Sequence, residues 1–532
     1  MAPPRPAEVN AVSDVRPSRP FVFPLLVLVI TALAGLLRLI GLEDNPPGFW
    51  QDEASTGIDA YLLWKTGRDR AGDFLPLISR SFGDYPLALY RYLDAPLVGI
   101  FGPSVGRERL VAGLTGTLMV AITGWVVKHR FSTTAAIGAM ISAALCPTWI
   151  QFSRYGSEAI LMPALLVLGW GLADRAERRP WMGWLAAVAL GLSAYTYHAI
   201  KVFLPLWIAA FLWLEWPLVV QLYRERRRHL IGPALLFTAI VLPSAILAFS
   251  EGGRARGNTV LAWFHYSGFD LVRTMVGNYL SYFDPGMLFV RGGPAVSQSM
   301  PKLGMWSYLD LPLFFCGAVA LFRSPMAPRL RVFLIAWFLL GPMPGGLTYE
   351  THNMGRAIGW LPVPQIIAGL GFAEIVAWVQ KQWGQGARLR AAALAVSLSA
   401  TLIATSGFTA WVVYAYYPTI TERDWQSEIS RAMRCAKDLR RGEKLVVSPA
   451  FTLADVFARF FFAELGPLDR PVWELGDRTE VASGELYLFP AQKPAPKGEK
   501  LCEIRNGQTK APVSYVYGPP LPAGPVPDKL GP

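Results

Sequence analysis

The chain consists of long apolar stretches that are separated by short polar links rich in basic residues. The first stretch runs from Phe21 to Ile40, and about 20 consecutive apolar residues suffice for a helix to cross a lipid bilayer. We predict eleven membrane-spanning helices, and hence an α-helical polytopic membrane protein. Their centres lie in residues 21–41, 109–127, 133–150, 158–173, 181–198, 202–222, 230–249, 306–322, 332–348, 357–379 and 391–415.

One further apolar segment, Pro86 to Gly102, is predicted to lie in the membrane interface rather than to cross the membrane. It is short and contains Arg91 and Asp94, and charges inside a span are costly. With the N-terminus inside, the five inner links hold fifteen Lys and Arg residues, whereas the short outer links hold about three. Cytoplasmic loops carry an excess of Lys and Arg, so we predict a cytoplasmic N-terminus and an outer C-terminus.

The same pattern divides the chain into regions. The polar C-terminal part has a helix signal at 422–439 and strand signals at "KLVVS" and "ELYLF", which predict a small extracytoplasmic α/β domain. Within the first outer loop a helix is expected from Asp52 to about Thr66. The predicted regions are a cytoplasmic tail (1–20), a membrane domain (21–415) with large outer loops at 42–108 and 250–305, the α/β domain (416–511), and a Pro-rich flexible tail (512–532).

Composition supports the membrane assignment and narrows the partners. The chain has 532 residues, 53% of them hydrophobic and 17% charged, with a mean hydropathy of +0.32. Its net charge of +12 does not indicate nucleic acid, because the basic residues lie in the links and form no stripe with interleaved aromatics. Cys146 and Cys316 lie in apolar runs. Cys435 and Cys502 lie in the polar part, where a disulfide would require an oxidising compartment.

Charged residues collect at the predicted outer face, and this is the main functional signal. For each one a structural role is the alternative: a helix cap for Asp52, an interfacial ion pair for Glu158 with Arg154, or a cation extending to the interface for Lys201. Their collection on one side favours a site for an anionic headgroup with a general base. The candidates are Asp52, Glu53 and Glu158 as catalytic acids, and Asp84, Arg91, Arg154, His198, Lys201, His352 and Arg356 as phosphate- or substrate-binding residues.

Several motifs resemble those of the GT-C glycosyltransferases, most closely the protein O-mannosyltransferase and lipid A aminoarabinose transferase family. They are "QDEAS" (51–55), "YPLALYRYL" (85–93), "FGPSVGRERL" (101–110), "FSRYGSEAILMP" (152–163) and, more loosely, "HNMGRAIGWLP" (352–362). The resemblance implies an enzyme of the bacterial plasma membrane that takes a sugar from a polyprenyl-phosphate donor on the outer face. Asp52 would then be the catalytic base and Glu158 a second acid.

The chain departs from this family just before the interfacial helix. Relatives commonly have Lys-Pro-Pro there, whereas this chain has Asp84-Tyr85-Pro86. Arg91, Lys201 or Arg356 would have to supply the missing charge for the phosphate. The sequence neither requires nor excludes a divalent metal ion. No ligand spacing demands one, and the outer histidines form no zinc motif.

The expected chemistry is transfer with inversion, in which a carboxylate activates an acceptor hydroxyl opposite the leaving phosphate. The acceptor (lipid, glycan or protein) is not specified by the sequence. A transporter or lipid flippase is the main alternative, although midplane charges and internal repeats are not evident. A scaffold that binds envelope partners and an oligosaccharide ligase are the others.

Overall fold

A computed structural model describes residues 21–323, 325–384, 388–464 and 472–519. The helices in the first half are α1 Val22–Leu39, α2 Gln51–Thr66, α3 Leu89–Phe101, α4 Val105–Arg130, α5 Thr133–Leu145, α6 Pro147–Arg154, α7 Leu161–Ala173, α8 Trp181–Ser193, α9 Ile200–Arg226, α10 Arg228–Ala248, α11 Glu251–Val260 and α12 Gly268–Ser281. Those in the second half are α13 Asp310–Arg323, α14 Pro328–Leu340, α15 Met343–Gly346, α16 Met354–Ala357, α17 Val363–Gly384, α18 Arg388–Trp411, α19 Tyr417–Ile420, α20 Ser427–Leu439 and α21 Ala454–Phe461.

Shorter elements complete the description. The 3₁₀ turns are Glu158–Ile160, Ala262–Phe264 and Ile358–Trp360, and the π-helical segments are Met287–Arg291 and Val412–Tyr416. The strands are β1 Lys444–Val447, β2 Trp473–Leu475, β3 Glu485–Pro490, β4 Glu499–Arg505 and β5 Pro512–Gly518. Among the described residues, the contacts divide the chain into two compact units: 21–42 with 71–93 and 109–417, and 43–70 with 94–108 and 418–519.

Within the described residues, six helices are long and apolar enough to cross a membrane, and α5 with α6 would make a seventh. Several predicted spans correspond to helices of only 13 or 14 residues, among them α7, α8, α13 and α14. A multi-pass membrane protein is therefore confirmed, and the total of eleven spans stays a prediction.

The predicted span 133–150 is not one straight helix. The chain bends by 55° between α5 and α6, and Cys146 at the break has an extended backbone (φ −66°, ψ 115°). Proline disfavours a helical conformation in the residue before it and lacks the N–H for a helical hydrogen bond, so Pro147 ends α5 and begins α6.

In the first unit, glycines bring helices into close contact. α17 packs against α5 and α13. A methyl group on Gly371 would lie 1.9 Å from the carbonyl oxygen of Leu313, and one on Gly317 would lie 1.8 Å from that of Ile367. Small residues that let backbones approach are typical of helix interfaces in membranes, so these glycines are required where they stand.

The second unit combines the C-terminal domain with part of the first outer loop. Its mixed sheet has the order β2-β1-β3-β5-β4, in which β1 is parallel to β2 and β3, and β5 is antiparallel to β3 and β4. Ile58 and Tyr61 of α2 share one apolar core with Met433, Phe457 and Leu488. A disulfide between Cys435 and Cys502 joins α20 to β4.

Two predicted boundaries need correction. We placed all of 42–108 in the membrane domain, whereas residues 43–70 and 94–108 belong to the unit of the C-terminal domain. This occurs because the apolar face of α2 packs on α21. The flexible tail was predicted from Pro512, but Pro512–Gly518 forms β5, which buries Ser514 and Val516 in the sheet. The proline content of the tail obscured the alternating strand pattern.

Candidate active site

The acidic pair of the first loop occupies the first turn of α2, where negative charge interacts favourably with the helix dipole. Glu53 is 1% exposed, and its Oε2 accepts a hydrogen bond of 2.9 Å from the backbone N–H of Trp50. It therefore caps its own helix. Asp52 is exposed, and its Oδ2 accepts a hydrogen bond of 3.3 Å from the indole Nε1 of Trp50. We expected both acids to be catalytic. The structure engages Glu53 in capping α2, whereas Asp52 is the exposed member of the pair.

The first unit brings Asp84, His198 and Arg256 together. His198 Nε2 lies 3.2 Å from Asp84 Oδ1, and Arg256 Nε lies 3.6 Å from Asp84 Oδ2. Burial acts to raise the pKa of Asp84, but the contact with His198 and the charge of Arg256 outweigh it and lower the pKa. Burial lowers the pKa of His198 despite the nearby carboxylate. The pair is therefore an ionised aspartate beside a neutral imidazole at neutral pH.

Helix α11 carries Arg256, and two further contacts join it to residues close in sequence to Asp84 and His198. Lys201 Nζ donates a hydrogen bond of 2.8 Å to the carbonyl oxygen of Gly253. The ring of Tyr85 lies against Gly252, where a methyl group would come within 2.8 Å of it. These contacts hold the backbone of α11, so the Arg256 side chain extends from a fixed support.

A second charged group surrounds Arg356, which is 5% exposed. Its Nη1 donates to Thr348 Oγ1 at 2.8 Å, and its Nη2 donates to Glu350 Oε2 at 2.6 Å. Burial acts to raise the pKa of Glu350, but the charge and hydrogen bond of Arg356 outweigh it and the pKa is lowered. His352, two residues after Glu350, has a left-handed backbone (φ 58°), and its ring centre lies 6.2 Å from that of Tyr282.

Tyr197 lies within electrostatic range of both the Asp84 group and the Arg356 group. Burial raises the pKa of its phenol, the charges of Arg356 and Arg256 lower it, and those of Glu158 and Asp84 raise it. Its hydroxyl oxygen would lie 3.4 Å from a methyl group on Gly355. Glu158 begins the 3₁₀ turn before α7 and is partly buried. Asp84, Glu158, Arg256 and Arg356 therefore act on one neutral phenol within the first unit.

Two of the expected binding residues are buried instead. Arg154 is 1% exposed and donates to the carbonyl oxygens of Leu37 and Ile40, each at 2.8 Å, so it caps the end of α1. Arg91 is 2% exposed, and its Nη1 lies 3.4 Å from the carbonyl oxygen of Leu87. Since both terminal amines of Arg154 donate to backbone carbonyl oxygens, we withdraw it as a ligand for phosphate.

Sequence reasoning did not select Arg256, Glu350 or Tyr197 as site candidates. The segment "GGRARGN" contains two arginines in an outer loop, but nothing in it indicates which one faces the Asp84 side chain. That choice follows from the register of α11. In the described part of the chain, no three His, Cys, Asp or Glu side chains form a group that could hold a metal ion.

Comparison with known proteins identifies the fold. No family model and no curated protein sequence matches the chain. The crystal structure of ArnT from Cupriavidus metallidurans bound to undecaprenyl phosphate matches with a TM-score of 0.53 and 12% identity, covering 92% of this chain and 97% of that chain. The apo structure of ArnT from the same organism matches with a TM-score of 0.51 and 12% identity, covering 93% and 98%. The chain therefore has the fold of this ArnT over most of its length.

Proposed function

We propose that the protein is a membrane glycosyltransferase that moves a sugar from a polyprenyl-phosphate donor to an acceptor hydroxyl. The observation that carries the proposal is the exposed carboxylate of Asp52 at the start of α2, in a chain that has the fold of ArnT over 92% of its length. That neighbour binds undecaprenyl phosphate, which supports a lipid-linked donor here.

Asp52 acts as the general base in this proposal. It accepts the proton of the acceptor hydroxyl while the hydroxyl oxygen forms a bond to the anomeric carbon of the sugar. The bond between that carbon and the phosphate oxygen breaks, and the polyprenyl phosphate leaves with the electron pair. Attack opposite the leaving group inverts the configuration at the anomeric carbon.

Arg256 is assigned to the donor phosphate. Arg356 uses both terminal amines on Thr348 and Glu350, and Arg154 uses both on backbone carbonyls. Arg256 approaches Asp84 through Nε, its side chain is 39% exposed, and the described residues supply no hydrogen-bond acceptor to its Nη atoms. A guanidinium held from one side presents two parallel donors, which suits a phosphate.

Other residues of the first unit would orient the donor. Tyr197 is a neutral phenol at ordinary pH and can donate a hydrogen bond to a sugar hydroxyl or to the phosphate. Lys201 adds positive charge beside Gly253. Glu158 acts as the second acid by accepting a hydrogen bond from a hydroxyl.

The proposed location is the plasma membrane of a bacterium, with the N-terminus in the cytoplasm and the C-terminal domain outside. The disulfide between Cys435 and Cys502 supports an oxidising compartment for that domain. The partners are then the lipid-linked donor, an envelope acceptor and the surrounding lipids.

The test is a mass-spectrometric comparison of envelope glycolipids, glycans and glycoproteins. Cells lacking the protein are compared with cells given the wild type, Asp52→Asn or Asp270→Asn at equal membrane abundance. Asp270 is an exposed carboxylate in the first turn of α12 and serves as the control. We expect one glycoform to disappear on deletion, return with the wild type and Asp270→Asn, and stay absent with Asp52→Asn. Full restoration by Asp52→Asn would favour transport or scaffolding.

A further inference from the structure

The start of α2 is bound to a short segment of the C-terminal domain, Trp425–Ser427. The backbone N–H of Gln51 donates to Gln426 Oε1 at 2.9 Å, and Gln426 Nε2 donates back to Gln51 Oε1 at 3.1 Å. The first N–H groups of a helix have no partner within it, so the Gln426 carboxamide satisfies one of them. A residue 375 positions away in the chain therefore completes the helix end that carries Asp52.

Trp50 is held by the same segment. Its ring packs edge-on against that of Trp425, with centres 6.0 Å apart and planes at 77°, and Trp425 is fully buried. This contact leaves the indole N–H of Trp50 3.3 Å from Asp52 Oδ2. Gly48 fits tightly beneath, since a methyl group there would lie 2.3 Å from the carbonyl oxygen of Trp425.

Gln426 has a backbone conformation that non-glycine residues adopt infrequently. Its φ and ψ are 50° and 38°, in the left-handed region. The Ser427 N–H donates to the Glu422 carbonyl oxygen at 3.0 Å, which closes the turn around it. Such conformations persist where surrounding contacts enforce them, and they concentrate at functional sites.

We infer that Gln426 and Trp50 are positioning residues for Asp52, and that the C-terminal domain therefore supports the catalytic base. This inference rests on the proposed function. Gln426 and Trp425 set the direction of the first turn of α2, and Trp50 orients the carboxylate through its N–H. The C-terminal domain acts on the transfer step through this helix end.

The N–H of Trp50 also stabilises the ionised form of the Asp52 carboxylate, which is the form that accepts a proton. Several charged groups on this segment and its neighbours have described contacts of their own. Glu53 accepts a hydrogen bond from the backbone N–H of Trp50, Glu422 Oε2 accepts from the Gly507 N–H at 2.6 Å, and Arg434 pairs with Glu43 and Asp44. Arg423, Asp424 and Glu428 are exposed to solvent. Loss of the Trp50 indole N–H removes its hydrogen bond to Asp52 Oδ2.

The test uses the full-length purified protein and undecaprenyl phosphate carrying the sugar of the glycoform that depends on this protein. Release of undecaprenyl phosphate is followed between pH 3.5 and 8 for the wild type, Trp50→Phe, Gln426→Ala and Asp52→Asn. Glu428→Gln is the matched control, because Glu428 is exposed and lies two residues from Gln426. Thermal stability is measured for every variant.

We expect Trp50→Phe and Gln426→Ala to lower kcat about tenfold or more while KM for the donor changes little, because a misplaced base slows the chemical step. Trp50→Phe should also move the acid limb of the rate profile upward by about half a pH unit. Glu428→Gln should match the wild type.

Other results would distinguish failure of the inference from failure of the proposed function on which it rests. Unchanged kcat and acid limb in both variants, with an inactive Asp52→Asn, would overturn the inference alone. So would a loss of kcat accompanied by an equal loss of stability and no shift of the acid limb. A wild type without any dependent glycoform or turnover, or an active Asp52→Asn, would overturn the proposed function as well.

Discussion

His198 Nε2 lies 3.2 Å from Asp84 Oδ1, although the two residues come from a loop before the interfacial helix and from the turn before α9. The contact joins two groups whose pKa values are both lowered, the imidazole mainly by burial and the carboxylate by its positive neighbours. This arrangement binds protons less well when folded than when unfolded.

Acid should therefore destabilise the protein through this pair. The pKa of His198 in the folded state lies below the ordinary value of 6.5, so its contribution to stability is present above pH 6.5 and is lost as the pH falls through the folded pKa. Asp84 acts in the same direction below pH 3.8. We expect His198→Asn to reduce the fall of Tm between pH 7.5 and 5.5 by ~2 °C or more. The exposed His265→Asn is the control, and an unchanged fall in His198→Asn would contradict the prediction.

Arg256→Ala should weaken binding of undecaprenyl phosphate. A hydrogen bond to a charged group is worth about 1.5–3 kcal/mol, so the Kd should rise about tenfold or more. Binding is measured on the full-length protein in lipid nanodiscs, with undecaprenol as the ligand that lacks phosphate. Arg254→Ala is the matched control, since Arg254 lies on the same helix and is exposed. Equal Kd values for the two variants would exclude Arg256 from the phosphate site.

Gly371→Ala should destabilise the membrane domain. The added methyl group would lie 1.9 Å from the Leu313 carbonyl oxygen, which belongs to the backbone of α13 and cannot move without moving the helix. Overpacking of this kind costs about 1–3 kcal/mol. Gly407→Ala is the control, because a methyl group there meets nothing within 4 Å. Thermal unfolding in detergent should separate the two variants, and equal Tm values would contradict close packing of α13 on α17.

The disulfide should stabilise the second unit. It joins residues 67 positions apart, and bonds that close loops of this size stabilise by about 2–4 kcal/mol. Cys435→Ser, Cys502→Ser and the double variant should lower the stability equally, since each removes the same bond. Proteolysis of the C-terminal domain can measure this, with Cys316→Ser as the control for a free thiol. Additive effects of the two single variants would argue against the bond.

The membrane orientation can be measured directly. We expect an impermeant maleimide to label Ser483→Cys from outside intact spheroplasts, and Arg227→Cys only after permeabilisation. Both positions are exposed, and they lie in the C-terminal domain and between α9 and α10. The positive charge between these helices is the reason for the expected difference. The reverse labelling pattern would show that the protein has the opposite orientation in the membrane.

Sequence patterns predicted the elements that depend on local chemistry. Helix α2 begins one residue before the predicted Asp52, and α3 begins three residues after Pro86. Strand signals at 444–448 and 485–489 correspond to β1 and β3. The predicted helix at 422–439 starts only at Ser427, because Gln426 adopts a left-handed conformation that serves a distant helix end. No local sequence pattern around Gln426 indicates this left-handed conformation or the contact with α2.

The sequence by itself determined that this is a multi-pass membrane protein, because apolar length is a property of each segment. Only the tertiary structure decided what each charge does. Arg154 and Arg356 are equally cationic in the sequence, yet one caps α1 and the other binds Glu350, while among the described residues none accepts a hydrogen bond from the terminal amines of Arg256. Which acceptors an arginine meets depends on helix register and packing between segments far apart in the chain, and no local pattern records that.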